Sequence, residues 1–426
     1  MTARALLLKE LLQTRIVCLD GGMGTELQGK DLTPEDFGGE AFEGCNEHLV
    51  LTRPDVVEAI HRAYLQAGAD IVETNTFGSA SLVLSEYPPL GDRAQEITRR
   101  AAEIARQVAD ELTTADRPRF VAGSMGPTTK PLSLTPGLSF AELRQSYAQQ
   151  ARALMDGGAD YLLVETCQDT RNVKAALAGI EDSVGRIGRD VSVAVSCTIE
   201  TSGTMLAGQP VEAFAVSLEH LDLLYLGLNC ATGPDFMTDH LRALSELAHV
   251  PVASVPNAGL PDERGNYPET PETLGTRIER FVDQGWLNLV GGCCGTTPGH
   301  IRALWEHCQG RRPRVPPRFR RSRVSGLDVV EISDDTRPVL VGERTNVLGS
   351  RKFKRLIAED KLEEASDIAR RQVRSGAHII DVCLQNPDRD EAADLASFLE
   401  HVIRKVKVPL MIDSTDAAAI ELALSY

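Results

Sequence analysis

Two adjacent cysteines between glycines are the feature of this sequence that most directly predicts chemistry. Residues 291–295 read Gly-Gly-Cys-Cys-Gly, so Cys293 and Cys294 are neighbours. Adjacent side chains on a regular strand point to opposite faces, so both sulfurs reach one metal ion only where the backbone turns, which flanking glycines permit. A third cysteine, Cys230, ends another apolar run between Gly-Leu-Asn and Ala-Thr-Gly. Three thiolates favour zinc, and three protein ligands leave the fourth position open, as in catalytic zinc sites.

A zinc ion held by three thiolates indicates a particular reaction. Its net charge is near −1, so it is poorly suited to generating hydroxide but well suited to holding a fourth thiol as thiolate. A free thiol has a pKa of about 8.5 and is mostly protonated at neutral pH. Metal coordination removes that proton and activates the nucleophile. The pattern therefore predicts a thiol substrate that attacks an electrophilic carbon.

Polar residues near the predicted metal site suggest an amino-acid substrate. Asp20 and Glu165 each end an apolar run and could bind a cationic amino group, while Gly21 and Gly22 offer backbone N–H groups to a carboxylate. An amino acid with a thiol side chain fits these groups. Alternatives remain open at this point: Cys293 and Cys294 could be small buried residues that fill a strand end, and Asp20 could cap the turn at its glycines.

The elements that would position these residues form a repeat. Short apolar runs of the kind found in strands buried on both faces alternate with helix-period segments, and they begin at residues 16, 69, 119, 159, 191, 223, 250 and 287. Eight such strands predict a parallel (β/α)8 barrel over residues 1–310, since an open doubly wound sheet does not need eight units of similar length. In a barrel, the polar residues that close the runs meet at the carboxyl-terminal mouth.

A second, shorter series follows a basic segment. Residues 311–336 are rich in arginine and proline and predict a linker rather than a nucleic-acid patch, because few aromatics are interleaved. Residues 337–426 contain three further βα units, too few to close a barrel. In the first of these units, a single helical segment is expected over residues 350–378. The expected architecture is thus a zinc-containing (β/α)8 TIM barrel followed by a partial second (β/α) barrel.

Composition limits the remaining function classes. The 426 residues include 45 Lys and Arg against 61 Asp and Glu, a net charge of −16, which argues against a nucleic-acid partner. No apolar run approaches the length of a membrane span, so we expect no membrane partner and a cytoplasmic location. Nine scattered cysteines do not suggest a disulfide framework.

Specific motifs resemble a known family. The motifs LDGGMGTEL, ADIVETNTFGS, GSMGPT, LLVETCQD, GLNCATGP, PNAGLP and GGCCGTTP, within residues 10–308, resemble the homocysteine S-methyltransferase domain. The motifs VGERTNVLGSRKFKRLI, GAHIIDV and VPLMIDST, within residues 338–426, resemble the start of the pterin-binding domain that follows it in the cobalamin-dependent methionine synthase family. The run after GAHIIDV departs from the Asn-containing run typical of that family.

The resemblance assigns roles to residues. It implies that Cys230, Cys293 and Cys294 are the zinc ligands, that Asn257 occupies the fourth position in the absence of homocysteine, and that Asp20 and Glu165 bind the homocysteine amino group. It further implies pterin contacts in the second domain, namely Glu343, Asn346, Asp381 and Asp413. Carboxylates and an amide suit the donor-rich edge of a pterin ring.

The expected function is methyl transfer to homocysteine, leading to methionine. Zinc would activate the thiolate, methylcobalamin on a module outside this sequence, in cis or in trans, would supply the methyl group, and 5-methyltetrahydrofolate would remethylate the cobalamin. One alternative is a cobalamin-independent homocysteine methyltransferase that uses betaine or S-methylmethionine. Another is a non-catalytic binding or scaffold fragment in which zinc is structural.

Overall fold

The computed structural model describes residues 2–188, 190–318 and 321–426, which divide into two structural units. The first unit contains the described residues up to 207 and those from 219 to 318. The second contains residues 208–218 and 321–426. Residues 319 and 320 of the predicted linker lie outside the described residues.

The first unit is built on an eight-stranded parallel sheet. Its strands are β1 (Val17–Cys18), β2 (Ile71–Glu73), β3 (Phe120–Met125), β4 (Tyr161–Cys167), β5 (Ser192–Cys197), β6 (Leu226–Cys230), β7 (Val252–Pro256) and β8 (Leu289–Val290). From β2 to β8 each strand pairs with the next along the chain, and β8 pairs with β1. A parallel bridge between Leu19 and Ile71 joins β1 to β2 and closes the ring. The predicted (β/α)8 barrel is therefore confirmed.

Helices alternate with these strands as the 3.6-residue periodicity predicts. In chain order they are α1 (Ala3–Thr14), α2 (Met23–Gln28), α3 (Leu49–Thr52), α4 (Pro54–Ala67), α5 (Ser81–Leu84), α6 (Ala94–Glu111), α7 (Phe140–Asp156), α8 (Thr170–Ile187), α9 (Val211–Leu218), α10 (Pro234–Leu247), α11 (Pro271–Asp283) and α12 (Pro298–Cys308). Local signals set their ends: a capping box between Ser139 and Glu142 begins α7, and Gly68, with φ of 130°, ends α4. Of these helices, α9 belongs to the second unit.

Side chains, not solvent, fill the barrel interior. Inward-facing residues such as Phe120, Tyr161 and Leu163 form one buried cluster with Leu8 and Leu12 of α1. The hydroxyls of Tyr161 and Tyr225, near the amino-terminal ends of their strands, lie 2.9 Å apart. Because α1 packs at this end, the barrel opens at the carboxyl-terminal ends of its strands.

The second unit contains two small sheets. Its strands are β9 (Arg323–Ser325), β10 (Val329–Glu331), β11 (Val341–Gly342), β12 (Ile379–Val382) and β13 (Leu410–Ile412). The first two form an antiparallel hairpin, and the other three form a parallel sheet in the order β11-β12-β13. Its remaining helices are α13 (Arg351–Ala358), α14 (Leu362–Arg374), α15 (Glu391–Val402) and α16 (Ala417–Leu424). Phe353 and Phe398 meet edge to face in its core, with ring centroids 5.1 Å apart.

Two local features differ from the sequence prediction. The single helical segment expected over residues 350–378 is two helices, because Asp360 adopts a left-handed φ of 55° between them. The predicted linker contains the β9–β10 hairpin, in which Val330 pairs with Val324. Within the described residues, no helix combines the length and apolar character needed to cross a membrane.

Candidate active site

A cavity of about 280 Å³ opens at the carboxyl-terminal mouth of the barrel. Its walls come mainly from the loops after β1, β2, β4, β6, β7 and β8. The residues that line it are Asp20, Gly21, Gly22, Met23, Gly24, Thr25, Gln28, Asn46, Glu47, Glu73, Thr74, Asn75, Phe77, Ser124, Glu165, Thr166, Cys230, Val255, Tyr267, Gly292, Cys293 and Cys294. This volume suits a ligand of amino-acid size rather than a nucleotide.

The three predicted metal ligands converge in this cavity. The Cys294 Sγ lies 3.9 Å from the Cys230 Sγ and 4.0 Å from the Cys293 Sγ, and all three sulfurs lie within 4.8 Å of one another. Tetrahedral zinc with Zn–S bonds of about 2.3 Å places its sulfurs about 3.8 Å apart. The three half-buried thiols therefore fit a zinc ion with little rearrangement.

A turn after β8 brings the two adjacent cysteines to one side. The strand ends at Val290, and Gly295 has a positive φ of 77°. The Cys293 N–H donates to the Pro256 carbonyl (2.9 Å), and the Cys294 N–H donates to Asn257 Oδ1 (3.1 Å). Since these contacts tie the turn to the end of β7, the sulfurs are held by backbone geometry before any metal binds.

The third ligand, Cys230, sits on strained backbone. Its φ of 62° and that of Ala231, 48°, are left-handed values that non-glycine residues rarely adopt. The preceding Asn229 accepts hydrogen bonds from the Thr166 N–H (3.0 Å) and the Ser196 hydroxyl (2.7 Å). This buried amide links the ends of β4, β5 and β6 and so supports the strained position of Cys230.

The thiols also perturb one another's protonation. Hydrogen bonds from Cys230 and Cys293 lower the pKa of Cys294 to about 3. For Cys230, the hydrogen bond with Cys293 lowers the pKa, but the hydrogen bond with Cys294 and burial outweigh it and raise the pKa to about 12. The cluster thus favours one thiolate at neutral pH, and a metal ion that binds all three sulfurs must displace the remaining protons.

Four carboxylates line the same cavity, and three of them, Asp20, Glu73 and Glu165, end or follow barrel strands or lie near their ends. Asp20, which is 2% exposed, accepts a hydrogen bond from the Glu73 N–H at 3.1 Å. Glu165, which is 6% exposed, accepts one from the Ser124 hydroxyl at 2.5 Å. Burial is the main cause that raises the pKa of each: for Glu165 to about 7, and for Asp20 and Glu73 well above the usual range. A cation bound among them would relieve this unfavourable burial of charge.

The glycines after Asp20 serve close packing. A Cβ at Gly22 would lie 2.7 Å from the Cys293 carbonyl oxygen, and one at Gly21 would lie 2.8 Å from Thr296 Oγ1. The Gly22 N–H, expected from the sequence to be available for a substrate carboxylate, already donates to Thr296 Oγ1 at 3.1 Å. Met23 and Gly24, in the first turn of α2, also line the cavity.

Asn257 lies beside the sulfurs but outside the residues that line the cavity. It is 4% exposed, and its Oδ1 is engaged by the Cys294 N–H. Here it positions the cysteine turn. Its expected role as a fourth zinc ligand stays a prediction, since it requires Oδ1 to exchange this hydrogen bond for a metal bond.

The sequence places Glu73 at the barrel mouth, among the polar residues that close the apolar runs, but assigns it no role, and it does not indicate Tyr267. Both residues line the cavity. Glu73 ends β2 just as Glu165 lies near the end of β4, and this shared position in the repeat was the available signal. The Tyr267 ring lies over Gly295, and its hydroxyl interacts with Cys294. No sequence pattern indicates a role for Tyr267, because its loop reaches the sulfurs only in the folded barrel.

The expected pterin-binding residues come together in the second unit. Glu343 and Asp413 follow β11 and β13, and Asp381 lies within β12. The Asn346 amide donates to Asp381 Oδ2 at 3.1 Å. Burial raises the pKa of Asp381, the hydrogen bond from Asn346 lowers it, and the charges of Asp413 and Glu343 raise it further. All four residues therefore share the carboxyl-terminal edge of the three-stranded sheet.

Comparison with known proteins supports this picture. The methionine synthases of Mycobacterium tuberculosis and Mycobacterium leprae are 42% and 41% identical to the chain over 98% of its length. The chain spans 35% of the length of these curated relatives. The crystal structure of the metallated homocysteine methyltransferase MmuM from Escherichia coli superposes with a TM-score of 0.57 at 22% identity, covering 71% of this chain and 98% of that one, which supports the fold.

Family models match both parts of the chain and confirm the resemblance seen in its motifs. Residues 342–426 match the pterin binding enzyme family. Residues 17–308, more than half of the chain and including the cavity and its three cysteines, match the homocysteine S-methyltransferase family. The chain belongs to the homocysteine S-methyltransferase family.

Proposed function

We propose that the first unit is a zinc-dependent methyltransferase module that methylates homocysteine, as in methionine synthase. The observation that carries this proposal is the convergence of three cysteine sulfurs within 4.8 Å at the wall of an acidic cavity. Zinc, when bound there by Cys230, Cys293 and Cys294, would hold the substrate thiol as a nucleophilic thiolate. Three ligands in an open cavity favour this over a scaffold role, which a closed four-ligand site would suit.

The cavity walls orient the amino acid. The carboxylates of Asp20 and Glu165 would bind the ammonium group, and the backbone at the start of α2 would bind the substrate carboxylate. Both ends of the substrate are then fixed, so its thiol is directed at the sulfurs. Such positioning removes entropy from the barrier, and exclusion of water keeps the thiolate reactive.

The surface around the cavity favours a methyl donor carried on another module. Exposed apolar side chains occur on four of the loops that follow barrel strands and in the first turn of α10, and we call them the apolar rim: Phe77, Leu134, Leu206 and Leu260 on the loops, and Phe236 in α10. They are between 39% and 56% exposed. Large apolar groups concentrated around one opening are typical of a protein interface. We infer that a cobalamin-binding module covers the rim and presents methylcobalamin to the thiolate.

The second unit would bind the folate that remethylates the cobalamin. The edge formed by Glu343, Asn346, Asp381 and Asp413 offers carboxylate and amide acceptors for the N–H groups of a pterin ring. In this proposal 5-methyltetrahydrofolate is the primary methyl source.

An assay with three methyl donors tests the proposed function. The zinc-loaded chain is incubated with homocysteine and methylcobalamin, betaine or S-methylmethionine, and methionine is measured by mass spectrometry. We expect zinc-dependent methionine formation with methylcobalamin and not with the other two donors. Turnover with betaine or S-methylmethionine would contradict the proposed donor and support a cobalamin-independent methyltransferase. Absence of both zinc-dependent homocysteine binding and turnover would leave a scaffold role.

Charge placed on the apolar rim should impair transfer from a protein-bound corrinoid. We expect Phe236→Asp to slow methyl transfer from a separately supplied cobalamin module about tenfold, because a buried carboxylate opposes docking. Transfer from free methylcobalamin should change less than about twofold, since Phe236 lies outside the cavity. Single-turnover absorbance of the corrinoid measures both rates. Leu6→Asp, an exposed leucine of α1 at the other end of the barrel, is the control and should leave both unchanged.

A further inference from the structure

The ligand cavity has an unusual charge balance. Four carboxylates line it, from Asp20, Glu47, Glu73 and Glu165. Of the described residues that line it, none is lysine, arginine or histidine. Three thiolates with a zinc ion would add further negative charge. Since buried carboxylates without a cation are unfavourable, the cavity is built to receive a positively charged group.

The four carboxylates are not equivalent. Glu47 Oε1 accepts the Gly78 N–H at 2.7 Å, so this side chain already holds a loop in place. Asp20 uses only Oδ2, toward the Glu73 N–H, and its buried Oδ1 has no hydrogen-bond partner among the described residues. No donor in the described part of the chain reaches the Glu73 carboxylate either. Asp20 and Glu73 thus retain free acceptors, whereas the Glu165 carboxylate interacts with the side chains of both Ser124 and Thr166. A carboxylate has about four acceptor sites, so Glu165 can still accept a further donor.

We propose that Glu73 is a specificity-determining residue that completes a receptor of three carboxylates, with Asp20 and Glu165, for a primary ammonium group. This inference rests on the proposed function, in which the ligand is an amino acid with a thiol. A primary ammonium carries three N–H donors, one for each carboxylate. An N-methylated amine has one donor fewer, and a thiol without an amine has none. Glu73 would therefore make the site select primary amino thiols.

The electrostatics of the cluster agree with this role. Burial, followed by the charges of Glu165 and Asp20, raises the pKa of Glu73 well above its usual range. An ammonium placed among the three groups would favour the charged form of each carboxylate and so oppose these effects. Removing the negative charge of one of the three carboxylates should thus weaken binding of the amine without affecting the thiol end of the ligand.

The proposal is tested by measuring how two variants, Glu73→Gln and Glu47→Gln, bind two ligands that differ only in the amino group. Titration calorimetry measures binding of homocysteine and of 4-mercaptobutyrate, which is homocysteine without its amino group, to the zinc-loaded chain. We expect Glu73→Gln to weaken homocysteine binding about tenfold, the range for loss of one charged hydrogen bond. Binding of 4-mercaptobutyrate should change less than about twofold. Glu47→Gln, which removes a carboxylate from the same cavity wall but can still accept the Gly78 N–H, should change both less than about twofold.

Other outcomes overturn the assignment. Equal weakening of both ligands by Glu73→Gln would mean that Glu73 only shapes the cavity, and no weakening of either would place it outside the receptor. N-methylhomocysteine and the wild-type chain give a test that needs no folded variant: we expect binding about tenfold weaker than that of homocysteine, and equal affinity contradicts a three-acceptor receptor. If the wild-type chain binds neither thiol in a zinc-dependent way, the proposed function itself fails, and this inference with it.

Discussion

Replacing Cys294 by serine is expected to lower zinc affinity at least about 100-fold and to abolish detectable methyl transfer to homocysteine. Cys294 is the sulfur that both other cysteines approach, at 3.9 Å and 4.0 Å. A serine hydroxyl is a harder ligand, and it is protonated at neutral pH. Since loss of a group that only orients a metal ligand costs about 10- to 100-fold in affinity, loss of a ligand itself should cost more.

The backbone contacts of Cys294 indicate that the substitution affects the metal site and not the fold. The Cys294 N–H and C=O are fixed by Asn257 Oδ1 and the Ala258 N–H, contacts that a serine backbone retains. We therefore expect the variant to fold with an unfolding midpoint near that of the metal-free wild type. Metal analysis after dialysis gives the zinc content, and calorimetry gives homocysteine binding. Cys308→Ala, a buried cysteine at the end of α12, should keep one zinc per chain. Full zinc and homocysteine binding by Cys294→Ser would contradict the proposed ligand set.

The barrel could be predicted from the sequence because its signals are repetitive. Each strand is a short apolar run bounded by a helix with its own end signal, such as Gly68 after α4, and eight such units admit few topologies. The hairpin β9–β10 and the break at Asp360 were missed for the opposite reason. Each depends on one local conformation that competes with a stronger compositional signal, arginine and proline in the first case and helix-forming residues in the second.

The candidate site could be predicted only where chemistry depends on residue type. Three cysteines beside glycines indicate a metal whatever the details of the fold, so Cys230, Cys293 and Cys294 were found. Tyr267 could not be found in this way, because its position over Gly295 results from the path of the loop between β7 and α11. For Gly22 the residue type suggested a free N–H, but the hydroxyl that occupies this donor comes from Thr296, far away in sequence.

Replacing Asp20 by asparagine is expected to weaken homocysteine binding about 10- to 100-fold while leaving the folded chain at least as stable. The first effect follows because a charged hydrogen bond to the ammonium is lost, worth about 1.5–3 kcal/mol. The variant should still accept the Glu73 N–H through its Oδ1, so the local structure is retained. Calorimetry with homocysteine and 4-mercaptobutyrate measures the binding effect, which should be confined to the ligand that carries the amine.

The stability effect has the opposite sign, and this separates a binding role from damage to the fold. Burial raises the pKa of Asp20 well above its usual range, an effect that the hydrogen bond from the Glu73 N–H opposes and the charge of Glu165 reinforces. In the unfolded chain its pKa is about 3.9. Between these values the folded state binds more protons than the unfolded state, so the free energy of unfolding falls as pH rises from about 4. Asparagine does not ionise, so it does not contribute to this pH dependence. Urea unfolding of the metal-free chain should therefore show a smaller decrease in the free energy of unfolding between pH 5 and pH 8 for the variant than for the wild type. An Asp20→Asn chain that is less stable than the wild type at pH 8 would show that this carboxylate supports the fold rather than the ligand.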